Sequence, residues 1–123
     1  MYPHSGLAKN FMRIDFLFKT FADETRLRIL NLLALGELNV THITRVLDIS
    51  QPKASRHLAQ LRFAGLVDSR RNGTKVIYFL AESSNKFQKL LLDHIKKGYF
   101  HEIPKLREDI KKAVFLKKDF SKD

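Results

Sequence analysis

The chain has 123 residues, of which 44% are hydrophobic, so we expect one domain over 1–123 with a single core. It has no cysteine, which excludes disulfides and thiolate chemistry, and no apolar run typical of a signal peptide or of a ~20-residue membrane span, so we expect a cytoplasmic protein. The formal charge of +10 favours a polyanionic partner, although a lysine-rich surface also keeps a small protein soluble.

Apolar residues at three- and four-residue steps predict two amphipathic helices at the start of the chain. Asn10 is the predicted N-cap of the first helix, over about 10–21, because its side chain can accept a hydrogen bond from a free backbone amide. Asp23 has the same predicted role before the second helix, and Gly36 is expected to end that helix in the left-handed conformation. Each of these helices has an apolar face that needs a packing partner.

A helix-turn-helix is predicted over 39–64. Asn39 caps its first helix, and Ser50 begins its second helix by accepting a hydrogen bond from the free amides of the first turn. Pro52 suits that first turn because its missing N–H would be unpaired there, and Gly65 is expected to end the helix. The inward-facing stripe of this second helix is Ala54, Leu58 and Leu61.

A β-hairpin is predicted over 67–80, with its second strand starting at Thr74. The pair Asn72-Gly73 favours a type I′ turn, in which both central residues take positive φ. Between residues 40 and 80 there are seven Lys or Arg against two acids. A helix with a polar outer face, followed by a basic two-stranded ribbon, is typical of proteins that bind duplex DNA. The sequence therefore predicts a winged helix-turn-helix, mainly α-helical with a small β-hairpin as the wing.

Two further helices are predicted after the hairpin. One covers about 85–97 and is interrupted by Gly98, and an extra C-terminal helix covers about 103–117 with Pro104 in its first turn. The expected apolar stripe of the last helix is Ile103, Leu106, Ile110 and Val114.

The polar side chains on the outer faces of the second helix and of the wing are candidates for contact with DNA. Amides and guanidinium groups pair with base edges, a helix N-terminus holds a phosphate, and wing cations contact phosphates or the neighbouring minor groove. The candidate DNA-binding residues are Ser50, Gln51, Lys53, Ser55, Arg56, Arg70, Arg71 and Lys75. The alternative is that Ser50 only caps the helix, while the others are ordinary solvated side chains.

Three segments resemble the ArsR/SmtB family of winged-helix repressors: FADETRLRIL at 21–30, ISQPKASRHL at 49–58 and AGLV at 64–67. The resemblance covers about 18–80 and implies a homodimeric repressor of an imperfect inverted repeat, with the first helix and the helix after the wing at the dimer interface. Packing within one protomer is the alternative for their apolar faces. The candidate interface residues are Phe11, Ile14, Phe18, Phe87, Leu91 and Ile95.

The resemblance also directs attention to metal sensing. Thiophilic-metal sensors of that family use cysteines in the helix corresponding to 37–43, where this chain has Asn39 and Thr41, so we expect no such site. The family's other site uses carboxylates and histidines after the wing, and the candidates here are Asp93, His94 and His101. His94 and His101 lie two helical turns apart, roughly 10 Å, whereas zinc needs donor atoms about 2 Å away. We therefore expect no metal cofactor, and a zinc or nickel effector only if ligands meet across a dimer.

The two alternative classes of function are an enzyme and an architectural DNA-binding protein. An enzyme would need a nucleophile with its base, a phosphate-binding glycine loop or clustered ligands, and the sequence has none of these combinations, so we do not expect an enzyme. A non-specific architectural DNA-binding protein would use the same basic wing and a lysine-rich tail. A small organic effector or a protein partner also stays open.

Overall fold

The computed structural model describes residues 6–82, 86–98 and 102–120, with the side chains of 6–13 and 118–120 left out. Six helices and three strands occur in these residues. In chain order they are α1 (Gly6–Phe21), α2 (Glu24–Leu33), β1 (Leu38–Asn39), α3 (Val40–Leu47), α4 (Gln51–Phe63), β2 (Val67–Asn72), β3 (Lys75–Leu80), α5 (Lys86–Lys96) and α6 (Pro104–Phe120). This is the mainly helical winged helix-turn-helix that the sequence predicts.

Side-chain caps define the two helices of the helix-turn-helix. Asn39 accepts a hydrogen bond from the amide of His42 at 2.9 Å, and Ser50 accepts one from the amide of Lys53 at 3.2 Å. Asp48 ends α3 in the left-handed conformation, with φ of 55°. The predictions of both N-caps are confirmed, and the short turn between them fixes the angle between α3 and α4.

The end of α4 is set by Gly65, whose φ is +78°. The amide of Leu66 donates to the carbonyl oxygen of Leu61 at 3.0 Å, which is the closing bond of a Schellman motif and confirms the predicted helix end. The side chain of Gln88 on α5 donates to the carbonyl oxygen of Ala64. Helix α5 therefore lies against the carboxyl end of α4.

The hairpin turn differs from the prediction. β2 and β3 are antiparallel, and Asn72 pairs with Lys75, so the two loop residues are Gly73 and Thr74. Gly73 has φ of +66°, and Asp48 is the one described non-glycine residue with positive φ, so Asn72 does not adopt the geometry of a type I′ turn. A positive φ at the first loop position alone fits a type II′ turn. The predicted type I′ turn is wrong, and Thr74 lies in the loop rather than in the second strand.

A third strand, absent from the prediction, completes the sheet in the order β1-β3-β2. In β1, Leu38 pairs with Tyr78 and Asn39 pairs with Ile77. Asn39 therefore both ends this short strand and caps α3. The inner edge of the wing is in this way hydrogen-bonded to the start of the helix-turn-helix.

Two predicted helix boundaries are wrong. α1 begins at Gly6, so Asn10 lies inside the helix, because the Leu-Ala-Lys segment before it is a good helix former. α2 ends at Leu33, and Gly36 is not among the glycines with positive φ. The chain leaves α2 through a tight turn, in which the amide of Leu35 donates to the carbonyl oxygen of Leu32 at 3.0 Å. No glycine is needed for that turn.

The core lies between α2, α3, α4, β2 and α5, and α6 covers one side of it. The predicted stripe of α6 is partly wrong, because Ile103 and Val114 are 46% and 60% exposed while Leu106 is buried. Asp109 and Ala113 occupy the buried face instead, since the helix is rotated to bring Asp109 against Arg28 of α2. Along the described chain, no helix combines the length and the apolar character needed to cross a membrane.

Candidate nucleic-acid interface

The amino-terminal half of α4 presents polar side chains on the face opposite the core. Gln51, Ser55 and Arg56 are exposed and Lys53 is half-buried, whereas the inward stripe of α4 is fully buried. Ser50 is exposed, and its hydroxyl is used by the cap. Four of the predicted contact residues thus lie in the amino-terminal half of α4, outside its buried stripe. No acid lies in that first turn, so the positive end of the helix dipole is left uncompensated.

The middle of α4 is held by Arg26, a residue to which the sequence analysis gave no role. Its Nη1 donates to Oε1 of Gln60 at 2.8 Å and lies 3.3 Å from Nδ1 of His57. Its Nε donates to the carbonyl oxygen of Thr20 at the end of α1 at 2.7 Å. One guanidinium group therefore connects α1, α2 and the middle of α4. Arg26 belongs to the motif at 21–30, but its contact with His57, 31 residues further along the chain, could not be inferred from the sequence.

His57 is buried beneath α4 and is a packing residue. Burial, together with the positive charges of Arg26, Arg56 and Lys53, lowers the pKa of His57, although the carboxylate of Asp23 acts in the opposite direction. With Nδ1 facing the Arg26 guanidinium, the neutral ring accepts a hydrogen bond there and carries its proton on Nε2. His57 therefore supports α4 from behind and does not face the polar end of the helix.

The wing separates its basic residues. Arg70 forms two hydrogen bonds with the carboxylate of Glu37, at 2.5 and 2.6 Å, and its guanidinium lies 5.5 Å from the ring centre of Phe79. The pKa of Glu37 is lowered by this pairing with Arg70. Arg71 is exposed and follows Arg70 on the strand, so it points to the other face of the ribbon. Lys75, beside the turn, is half-buried.

Helices α1 and α5 pack side by side through aromatic rings. The ring centres of Phe18 and Phe87 are 5.5 Å apart, and Phe18 is still 55% exposed. Ile14 on α1 and Leu90 on α5 are also exposed, Leu90 at 64%. These side chains leave an apolar surface on both helices, the α1/α5 surface, which consists of Ile14, Phe18 and Leu90.

One predicted interface residue needs correction. Ile95 is 1% exposed and belongs to the core of the protomer, because α5 turns this residue inward together with Leu92. Phe87 and Leu91 are half-buried and pack against that core. Phe11 lies on α1, but its side chain is outside the described residues. Leu90, which the sequence analysis passed over, is the exposed apolar residue of α5.

The structure describes two of the three candidate metal ligands. Asp93 is half-buried, His94 is exposed and His101 lies outside the described residues. In the described segments, no three His, Cys, Asp or Glu side chains converge as metal ligands. Asp93 lines an open cavity of about 350 Å³ together with Glu82, Lys89 and Lys96, so the cavity has two carboxylates and two ammonium groups. With no cysteine in the chain, a thiolate site for arsenite does not fit these residues.

Comparison with known proteins gives the family of the chain. The family model described as bacterial regulatory protein, arsR family, matches residues 23–69, from the N-cap of α2 into β2. The structure of reduced HlyU from Vibrio cholerae is 35% identical, covers 74% of this chain and 93% of that chain, and superposes with a TM-score of 0.61. The chain belongs to the ArsR family. This confirms the resemblance stated from the sequence, and a family of regulatory proteins agrees with the expectation that the chain is not an enzyme.

Two further ArsR-family relatives show the range of the likeness. The arsenical resistance operon repressor of Escherichia coli K12 is 56% identical over 66 residues, which are 53% of this chain and 56% of that protein. The chain thus spans little more than half the length of this curated relative. The solution structure of the homodimeric winged helix-turn-helix DNA-binding domain Mb0332 from Mycobacterium bovis has a TM-score of 0.64 at 28% identity, covering 84% of this chain and 94% of that chain.

Proposed function

We propose that this ArsR-family chain is a sequence-specific DNA-binding transcriptional regulator that acts as a homodimeric repressor. The observation that carries the proposal is the polar end of α4, where Gln51, Ser55 and Arg56 are exposed on a helix whose other side is fixed in the core. A rigid helix with a polar amino-terminal half is what the major groove admits. Such a protein acts in the compartment that holds the DNA, which in a bacterium is the cytoplasm.

In the proposed complex, α4 reads base edges and the wing holds the backbone. The amide of Gln51 suits adenine and the guanidinium of Arg56 suits guanine, since both make paired hydrogen bonds in the major groove. The positive end of the α4 dipole attracts a phosphate, while the amide of Lys53 stays bonded to Ser50. Arg71 and Lys75 supply phosphate or minor-groove contacts from the wing, and Arg70 joins them only by leaving Glu37.

The proposed dimer forms through the α1/α5 surface. Exposed apolar side chains on two adjacent helices are a common basis of twofold association, because the same patch on each copy covers the other. The homodimeric relative Mb0332 supports this choice of assembly. A twofold dimer places its two α4 helices about 34 Å apart, one turn of B-DNA. The proposed operator is therefore an imperfect inverted repeat.

Selection of bound genomic fragments at near-physiological salt tests the proposal. The expected result is enrichment of one inverted repeat over competing DNA, because base contacts add to the salt-dependent backbone term. Enrichment without any shared sequence would instead support a non-specific architectural protein, the second candidate, which the net charge of +10 favours. A reporter gene carrying the repeat at its promoter tests the direction of regulation, and we expect lower transcription when the protein is present.

We propose further that DNA binding needs no metal cofactor. The chain has no thiolate to offer, and the carboxylates of Asp93 and Glu82 share their cavity with the positive charges of Lys89 and Lys96. Binding to the selected repeat should be the same in the presence and absence of a strong chelator. A loss of binding after chelation, restored by zinc or nickel, would show that ligands such as Asp93 and His94 meet across the dimer.

A further inference from the structure

The C-terminal helix α6 is attached to α2 by a buried ion pair. Asp109, which is 3% exposed, accepts hydrogen bonds from Nε and Nη2 of Arg28 on α2, at 2.8 and 3.0 Å. One turn further along α2, the buried amide group of Asn31 donates to the carbonyl oxygen of Leu106 at 3.0 Å. A bidentate guanidinium and carboxylate pair fixes orientation as well as distance. Helix α6 therefore has a defined position on α2.

The same guanidinium places the middle of α6 beside the turn of the helix-turn-helix. Nη2 of Arg28 also donates to the carbonyl oxygen of Leu47, the last residue of α3, at 3.3 Å. Leu47 lies three residues before Ser50, which caps α4. Asp109 and the end of α3 are thus on two sides of one guanidinium group. The surface of α6 around Asp109 adjoins the segment that leads into the polar end of α4.

The exposed surface of α6 is strongly basic. Over the described side chains from 104 to 117, Glu108 is the one exposed acid, because Asp109 is turned inward to Arg28. The exposed cations of this helix are Lys105, Arg107, Lys111, Lys112 and Lys117. Residues three and four apart are neighbours on a helix surface, so Lys105 and Lys112 are the cations that flank Asp109.

We propose that α6 is a second phosphate-binding element, in which Lys105 and Lys112 contact the DNA backbone beside the groove entered by α4. The inference rests on the proposed function, because it needs α4 to be the groove-reading helix. Its support is the charge of this flank and its continuity, through Arg28, with the turn that begins α4. The matched family segment ends at residue 69, so this contact adds to the winged helix-turn-helix rather than belonging to it.

The salt dependence of DNA binding tests the proposal in the full chain. The test variant is Lys105→Gln combined with Lys112→Gln. The matched control is Lys86→Gln combined with Lys89→Gln, which removes the same charge from exposed positions on α5. Gln88 ties that part of α5 to the carboxyl end of α4, and α4 has 13 residues, so the control positions lie about 20 Å from its groove-reading end. The probe is a labelled duplex of about 40 base pairs with mixed sequence, titrated at several KCl concentrations.

The expected result is a difference between the two double variants. Each lost phosphate contact removes about 0.9 from the slope of log K against log salt, so the test variant should flatten the slope by about two per protomer. Its affinity at near-physiological salt should fall on the order of tenfold, while the control variant keeps the parent slope and affinity. Thermal unfolding of both variants, with midpoints close to that of the parent, assigns the difference to DNA contact rather than to folding.

Other results overturn the inference and separate it from the proposed function. Equal slopes for the two double variants, with a parent slope that Arg71→Ala still flattens, would remove α6 from the interface and leave the winged helix-turn-helix in place. If the parent protein did not bind the duplex at all, this result would contradict both the α6 contact and the proposed DNA-binding function. Binding to phosphatidylglycerol vesicles that depends on Lys105 and Lys112, without an effect on DNA, would assign the helix to a membrane surface and contradict the proposal.

Discussion

Arg70 of the wing is paired with an acid, because Glu37 holds its guanidinium through two short hydrogen bonds. An acid placed beside a DNA-facing cation competes with phosphate for that cation. The Glu37→Gln variant should therefore bind duplex DNA roughly fivefold more tightly at near-physiological salt, through one additional phosphate contact. Fluorescence anisotropy measures this change. The control is Glu82→Gln, an exposed acid that follows the second strand of the ribbon, and an equal gain in that variant would show a general charge effect instead.

Arg56 and Arg71 should differ in the kind of DNA contact that they lose. Arg56 lies on the polar end of α4, so Arg56→Ala should cost about 1–3 kcal/mol of discrimination at one base pair and relax the preference there. Arg71 lies on the exposed face of the wing, so Arg71→Ala should weaken binding to every sequence and reduce the salt slope by about 0.9 per protomer. Competition with single-base operator variants at two salt concentrations measures both effects. Unchanged discrimination in the Arg56 variant would exclude it from base recognition.

His57 makes the stability of the fold dependent on pH. Because burial lowers the pKa of His57 below its ordinary value of 6.5, the unfolded chain binds this proton more readily than the folded protein. The neutral His57 ring therefore contributes fully to the free energy of unfolding above pH 6.5, and this contribution decreases as the pH falls below 6.5. The melting temperature should decrease between about pH 7.5 and pH 5.5, and His57→Gln should show a smaller decrease. The pKa of Asp23 is also lowered, so the stabilisation by its carboxylate is lost only in more acidic solution. An identical pH dependence in both proteins would contradict this role.

At the scale of elements, the ion pair between Arg28 and Asp109 determines whether α6 stays on the core. The Asp109→Ala variant leaves the largely buried guanidinium of Arg28 without its carboxylate partner. Removal of one partner of a buried ion pair lowers the free energy of unfolding by about 3–5 kcal/mol. Urea unfolding should show a loss of this size. The exposed pair of Asp15 and Lys19 on α1 is the control, where Asp15→Ala should cost about 0–1 kcal/mol. A loss no larger than that of the control would show that the pair does not hold α6.

Several elements with local signals were predictable from the sequence, although the helix ends expected at Asn10 and Gly36 were wrong, and elements fixed by distant contacts were not predictable. Ser50, Asn39 and Gly65 were assigned correctly because a cap involves only residues within the same helical turn. The hairpin turn was shifted by one residue, since both two-residue loops are chemically acceptable and the choice comes from the pairing of β3 with β2 and with β1. The orientation of α6 was missed because Asp109 and its partner are 81 residues apart.

The same limit applied to the candidate site. The exposed end of α4 followed from helical periodicity, whereas the pairing of Arg70 with Glu37 depends on how the wing lies beside β1. Ile95 was assigned to an interface because an apolar residue on an amphipathic helix can face either the core or a second copy. Only the packing of α5 against the core distinguishes Ile95 from Leu90.

At the scale of the whole molecule, the proposed DNA complex requires two α4 helices that the α1/α5 surface holds at a fixed separation. The most direct test compares the selected inverted repeat with the same repeat carrying an insertion of about 5 base pairs between its halves, which turns one half to the opposite side of the duplex. The rigid dimer predicts a loss of affinity on the order of a hundredfold or more after the insertion. Equal affinity for the two duplexes would contradict the twofold arrangement of recognition helices.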